Sequence, residues 1–369
     1  MSQSRGRLGS SIRIIWAIAR KDILEGIRSK TILSAVIALV FLTMYDTLMP
    51  SIRSGNTPPP VAVYDAGDSG VVAQLEETSG LELTVVSSQH ELERHLGNSF
   101  VATLGLVIPP GLDQDVEVEE QIELEGYVDH WVSDSVAAGM QLAAEEELAT
   151  LIGRPVQINV ESDTIFTDRN GGQPWTAALT AVLMITMFGM FATPALMLTE
   201  KLTRTVDALL VSPATATQIV LAKAIAGLVY SLAAAAFVLV FRSALIVHWG
   251  IAVLAVISGS LLAVAVGLLL GSATNARQQT MLWTYVLFFP SVIAVVAADM
   301  LSHTDLPANW QIVREILAFV PTAALAKVFR VSFARDAALA DVGLELVLIA
   351  GFTAVILAGV AWVMRRSDR

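Results

Sequence analysis

The most chemically specific stretch of the sequence is EKLTRTVDALLVSPATATQIVLAK, residues 200–223, a charged amphipathic segment set between two long apolar runs. Leu202, Val206, Leu209 and Leu210 recur at i, i+4, i+7 and i+8, one apolar stripe of a short helix, while Lys201, Arg204 and Asp207 fall on its other faces. Ser212-Pro213 ends that helix, because proline has no amide proton to donate and biases the residue before it away from helical geometry. The chemistry on offer is recognition: a stripe to bury and charges around it to set orientation. Two settings suit such a helix at a membrane surface, a groove on a cytoplasmic partner and the lipid headgroups.

Other constellations are less specific. Glu117, Glu119, Glu120, Glu123 and Glu125 supply the oxygen ligands a divalent cation takes, yet their spacing equally describes a solvated acidic face. The five histidines are scattered, so no metal site is expected. No Gly-Lys pair occurs, so the phosphate-cradling loop of nucleotide hydrolases is missing and any ATP chemistry belongs to another polypeptide. The chain has no cysteine, which excludes disulfides and thiol chemistry. No catalytic residue and no bound cofactor are expected in this chain.

The elements that position residues 200–223 follow from composition. With 54% hydrophobic and 15% charged residues and a mean hydropathy of +0.64, the 369-residue chain reads as an integral membrane protein. Six apolar runs, near 31–49, 175–198, 219–241, 251–271, 281–298 and 344–364, are long enough to cross a bilayer core, which takes about 20 helical residues. The first is an anchor, not a cleaved signal, since some thirty residues precede it. Asp46, Lys223, Arg242, Asp299 and Glu345 fall near span ends, where they are expected to reach the interface; proton or ion relay through midplane carboxylates is disfavoured.

Charge placement orients the chain. Arg5, Arg7, Arg13, Arg20, Lys21, Arg28 and Lys30 precede the first span, and Arg365, Arg366 and Arg369 follow the last, so both termini are expected in the cytoplasm. Residues 50–173 carry 22 Asp or Glu against four Arg, a net of −18 within a chain of −11, which leaves +7 elsewhere. The acidity therefore belongs to one segment outside the membrane, and nothing points to nucleic acid. Within it, β-rich runs at 61–64, 81–86, 101–108, 122–128 and 156–160 alternate with helical stretches. One starts at the capping box Ser88-Gln-His-Glu91; another spans 132–152 and stops at Gly153 before Pro155. A small α/β domain is expected, joined through the extended linker 57–60.

Two further stretches have double readings. Ile12, Ile15, Trp16, Ala19, Ile23 and Ile27 share a face of residues 11–30, with Arg13, Arg20, Lys21 and Arg28 mostly elsewhere, as in a helix lying on the membrane, alone or against a cytoplasmic partner. Gly259, Ala263, Gly267 and Gly271 make a small-residue ladder at i+4 spacing, which serves close helix packing or, less commonly, a substrate path.

These residues resemble the membrane subunit, or permease, of type-2 ABC transporters, in the branch with a large extracellular domain between the first two spans. Glu200, Lys201, Thr205, Asp207, Leu209, Leu210, Ser212, Pro213 and Lys223 stand where that family tends to carry an acidic residue, a basic residue, Thr, an acidic residue, Leu-Leu, Ser/Thr-Pro and a Lys opening the third span. Arg204 takes a place often held by Gly, and Asp207 one often held by Glu. Residues 19–33 resemble the family's connecting helix, 271–290 the short turn into the fifth span, 310–333 its membrane-dipping helices, and LVIPPGL at 106–112 a stretch of its external domain.

The resemblance implies an α-helical polytopic membrane protein of six transmembrane helices with an inserted extracellular α/β domain. Its parts are a cytoplasmic amphipathic helix at 1–30, a first span at 31–49, the acidic domain at 50–173, and the remaining five helices at 174–369, with a coupling helix at 200–213. It further implies an exporter subunit in the plasma membrane, seated with residues 200–213 in an ABC ATP-binding subunit that carries ATP and Mg, and paired with a second permease copy or a homologous permease among membrane lipid. The rival reading is a membrane-anchored sensory or ligand-binding protein acting through its extracellular domain. The sequence leaves the cargo open between drugs, lipids or other amphipathic molecules and ions.

Overall fold

A computed structural model describes residues 2–28, 33–34, 36–38, 40–41, 44, 59–67, 69–78, 80–118, 121–129, 131–165, 172–202, 215–302, 308–334 and 337–367. Of the first span expected at 31–49, residues 33–34, 36–38, 40–41 and 44 are helical; the rest of that run lies outside the described residues.

The chain opens with α1 (Ser2–Ile27). A five-stranded mixed sheet follows, with order β2-β1-β3-β4-β5, built from β1 (Pro60–Asp65), β2 (Glu82–Val86), β3 (Leu104–Ile108), β4 (Ile122–Asp129) and β5 (Val156–Ile165). β1 pairs in parallel with β2 and β3, β3 runs antiparallel to β4, and β4 parallel to β5. Helices α2 (Gly70–Thr78), α3 (Gln89–Asn98), α4 (Leu112–Val118) and α5 (Asp134–Ile152) connect the strands. Strand alternation sorts the packing: Val61 and Val63 point with Leu75, Leu106, Met140 and Leu148 into one apolar cluster, while Ala62 points to the opposite face with Val86, Leu92 and Leu96 of α3.

Local signals explain the ends of these elements. Ser88 Oγ accepts from the amide of Glu91, as an N-cap should. The Glu91 carboxylate, however, reaches Ser87, taking its amide at 2.9 Å and its hydroxyl at 2.5 Å, one residue earlier than a capping box places it. α5 closes at Gly153, whose φ of +74° is the left-handed geometry a glycine reaches without strain.

The remainder is helical. α6 (Gly172–Met187) passes through a π turn at Phe188–Ala192 into α7 (Thr193–Leu202). Then come α8 (Ala216–Phe241), α9 (Trp249–Ala273), α10 (Arg277–Ser302), α11 (Ala308–Ala318), α12 (Pro321–Phe333) and α13 (Gly343–Ser367). Among the described residues, five helical stretches are long and apolar enough to span a bilayer: Gly172–Leu198, Thr217–Phe241, Trp249–Ala273, Arg277–Leu301 and Leu339–Arg366. The first and third of these are 72% and 61% buried in the bundle, against 17% for each of the last two, so α6–α7 and α9 form its centre.

Helices α11 and α12 meet at a bend of 78° at Pro321. Arg330 near the end of α12 pairs with Asp299 near the end of α10, and Ser332 O receives the amides of Val247 and His248 from the turn between α8 and α9. The bent pair therefore finishes at the end of the bundle where α10 stops.

Candidate functional site

The recognition segment found in the sequence joins α7 to α8. Glu200 and Lys201 occupy the last turn of α7, while Arg204, Thr205, Asp207, Leu209, Leu210, Ser212 and Pro213 lie outside the described residues. Its exit is well defined. Thr215 caps α8 reciprocally, its hydroxyl accepting from the amide of Gln218 at 3.3 Å and its amide donating to Gln218 Oε1 at 2.9 Å.

Immediately beyond that cap, α1 docks on α8 through three polar contacts. Gln218 Nε2 donates to Ser11 Oγ at 3.0 Å, and the Tyr230 hydroxyl donates to the carbonyl of Ile23 at 2.5 Å. Between them, Lys223 Nζ lies 2.8 Å from Asp22 Oδ2, with each side chain only 2% exposed. Removing both charges from water is costly, and their mutual attraction in a low-dielectric site offsets that cost only while both remain. This pair is where the sequence reading needs correction: Lys223 was expected to reach the interface, and it is instead among the largest fully buried side chains. Arg242 and Asp299, expected at the interface too, are also buried, at 8% and 9% exposure.

The docked face of α1 carries Ala19, Asp22 and Gly26, all buried. Ile12, Trp16, Leu24 and Ile27 remain exposed. The apolar face read from sequence is thus divided: Ala19 turns toward α8, whereas Ile12, Trp16 and Ile27 face outward as a headgroup-lying helix requires. Asp22 was missed as a partner because its mate is 201 positions away in sequence. The one sequence signal was an acid placed three residues after Ala19, on the buried stripe of a basic helix.

The small-residue ladder lies on α9 at the bundle's centre. A Cβ on Gly267 would come within 2.5 Å of the Gly189 carbonyl oxygen in the π turn, and one on Gly271 within 2.7 Å of Met197 Sδ. A Cβ on Gly189 would in turn meet Ala263 one turn before Gly267, and a Cβ on Gly259 would strike Leu325 of α12 at 2.5 Å. Ser231 on α8 bonds Ser260 Oγ at 3.0 Å and the Ile185 carbonyl at 3.2 Å, tying three spans together. Such close backbone approach and inter-helix hydroxyl bonding is how helices associate in lipid.

At the far end of the bundle, Arg330 Nη1 donates to Asp299 Oδ1 at 2.6 Å, beside a small cleft lined by Trp175, Leu179, Val295 and Ala323. Lys327, on the same helix as Arg330, pairs with Glu345 in the first turn of α13. No three His, Asp or Glu side chains gather in metal-holding geometry among the described residues, and Glu119 and Glu120 lie outside them.

A bundle of apolar helices, two of the spans most buried at its centre and one helix pair sharply bent, defines a multi-pass α-helical membrane protein. More narrowly, the chain belongs to the ABC-2 family of transporter proteins, whose family model matches residues 30–362. It is thus a membrane transport subunit. No curated protein and no solved structure matches it significantly.

Proposed function

We propose that this chain is the permease of an ATP-driven ABC exporter, and that residues 200–213 form the coupling helix that receives the motion of a separate ATP-binding subunit. ATP and Mg sit on that partner; this chain supplies the pathway, in the plasma membrane, as a dimer with a second copy or a homologous permease. Both termini face the cytoplasm, and the acidic sheet domain lies outside.

The observation that supports this reading is the buried Asp22–Lys223 pair at the exit of the segment. A push on residues 203–214 must act on α7 and α8, which flank them, and α8 carries α1 with it through three polar contacts. Force applied at one short segment therefore reaches a central span, the span beside it and the membrane-surface helix together. Family membership supports the transport role and leaves the sensory reading without an observation in its favour.

The test replaces Leu209 and Leu210 with Ala. Truncating buried interface anchors costs about 1–4 kcal/mol each, so the variant should lose ATPase co-purification and stimulated hydrolysis in liposomes while inserting normally. Glu119→Gln, in the acidic domain, serves as the control. Unchanged association and hydrolysis in the Leu variant would show that the segment is a headgroup-bound loop.

A further inference from the structure

The other end of α8 carries a second buried polar assembly, and neither the transport family nor the docking segment accounts for it. Arg242, the residue that ends α8, is 8% exposed, and its Nη1 donates to Gln173 Oε1 at 2.7 Å. Gln173, in the first turn of α6, is 4% exposed, and its Nε2 donates onward to the backbone carbonyl of Phe100 at 2.7 Å. Phe100 lies between α3 and β3, in the sheet domain. One carboxamide thus links the third span, the second span and the sheet, using its acceptor on one side and its donor on the other.

Two neighbouring features tighten the link. Gly172 has φ of +59°, and a Cβ there would fall 2.6 Å from the Ser99 carbonyl and 2.9 Å from that of Gly97, so the start of α6 presses its bare backbone onto the end of α3. Trp131, just after β4, packs against both the bundle core and the sheet core. A guanidinium buried this far is tolerated only while its hydrogen bonds are made, and an amide held at both ends has no slack to adapt.

We infer that Gln173 and Arg242 are positioning residues that lock the sheet domain to the second and third spans, so that domain and spans move as one body during transport. The inference rests on the permease reading for its place in the transport cycle, but the lock itself is a property of this chain alone. α8 is then a shaft with a buried fastening at each end: Asp22–Lys223 beside the docking segment and Arg242–Gln173–Phe100 beneath the sheet.

The natural absence of cysteine makes a direct test simple. Spin labels at Glu93→Cys, on exposed α3, and Val240→Cys, on the lipid-facing side of α8, report the distance between domain and span by pulsed electron paramagnetic resonance in nanodiscs. The full-length parent should give one narrow distance distribution. Gln173→Glu keeps an acceptor for Arg242 but removes the N–H donated to Phe100; Arg242→Met removes the other bond. Each should broaden the distribution at least twofold with the helix content and thermal midpoint of the bundle unchanged, and Arg242→Lys, which retains a donor, should restore the narrow one.

Equally narrow distributions in Gln173→Glu and Arg242→Met would overturn the lock. Broadening that comes only with loss of helix content would overturn a positioning role in favour of general stability. Because the measurement needs no ATPase, its result stands apart from that of the Leu209 and Leu210 replacements.

Discussion

Replacing Asp22 with Asn should free α1 from α8. The change keeps shape but leaves Lys223 as a charge with 2% of its side chain exposed and no anion 2.8 Å away. Breaking a buried pair from one side costs about 3–5 kcal/mol, whereas replacing both partners with apolar groups is near neutral. Lys21 and Glu25 provide the internal comparison: they sit 3.8 Å apart on the same helix with 51% and 60% of their side chains exposed. Such an i, i+4 pair is worth only ~0.3–0.5 kcal/mol. The readout is amide hydrogen exchange of residues 12–26 in nanodiscs. At 1.4 kcal/mol per tenfold, Asp22→Asn should speed exchange by about two to three and a half powers of ten, up to the unprotected rate. Lys21→Ala should change it by about twofold. Asp22→Leu with Lys223→Met should return protection to within about tenfold of the parent. Two results would refute the reasoning: parent-like exchange in Asp22→Asn, or a double variant as unprotected as the single one.

Packing and pH give two further expectations. Gly267→Ala places a methyl 2.5 Å from a backbone oxygen and 2.9 Å from Thr193 Cβ, an overpacking cost of about 1–3 kcal/mol; thermal scanning should show a lowered midpoint. Gly250→Ala, with nothing within 4 Å, should match or exceed the parent, and a Gly267→Ala protein as stable as the parent would contradict the close approach. In the sheet domain, the Ser87 hydroxyl and amide hold the Glu91 carboxyl below its ordinary value of 4.5. A depressed carboxyl stabilises the fold above its unfolded value and loses that contribution as pH falls through the folded one. Protection at residues 87–91, measured against the intrinsic exchange rate at each pH, should therefore fall below about pH 4.5 in the parent, and Glu91→Gln should remove that acid dependence.

Legibility in the sequence tracks the range of the interaction. β-rich patterning located the five strands among the described residues because it is local, and Gly153 marked the end of α5 because a glycine takes the left-handed C-cap geometry without strain. The expected start of β3 at 101 was early for an equally local reason that periodicity does not register. Ser99 and Thr103 hydroxyls both donate to the Val101 carbonyl, at 2.8 and 3.1 Å, and hold that stretch out of the sheet until Leu104. The fate of the charges near span ends was not legible. Asp22, Lys223, Gln173 and Arg242 are ordinary polar residues until the fold brings together positions 201 and 69 apart. Hydropathy marks where a chain leaves the bilayer, not whether a charge found there faces water or another helix.

The π turn at Phe188–Ala192 has a consequence for how this span can be altered by descent or design. A π turn accommodates an extra residue without lengthening the helix by a full turn. Thr193, directly after it, is wholly buried, with no hydrogen-bond partner for its hydroxyl among the described residues. A chain of the same length in which 188–192 wound as plain α-helix would carry the extra residue forward instead of absorbing it, and each α-helical residue spans about 100° of azimuth. Everything from Thr193 to Leu202 would then turn by roughly that angle about the span's axis. The end of α7 at Leu202 would then face a different neighbour, so the winding of one turn deep in the bilayer sets the compass bearing of a helix end some ten residues away.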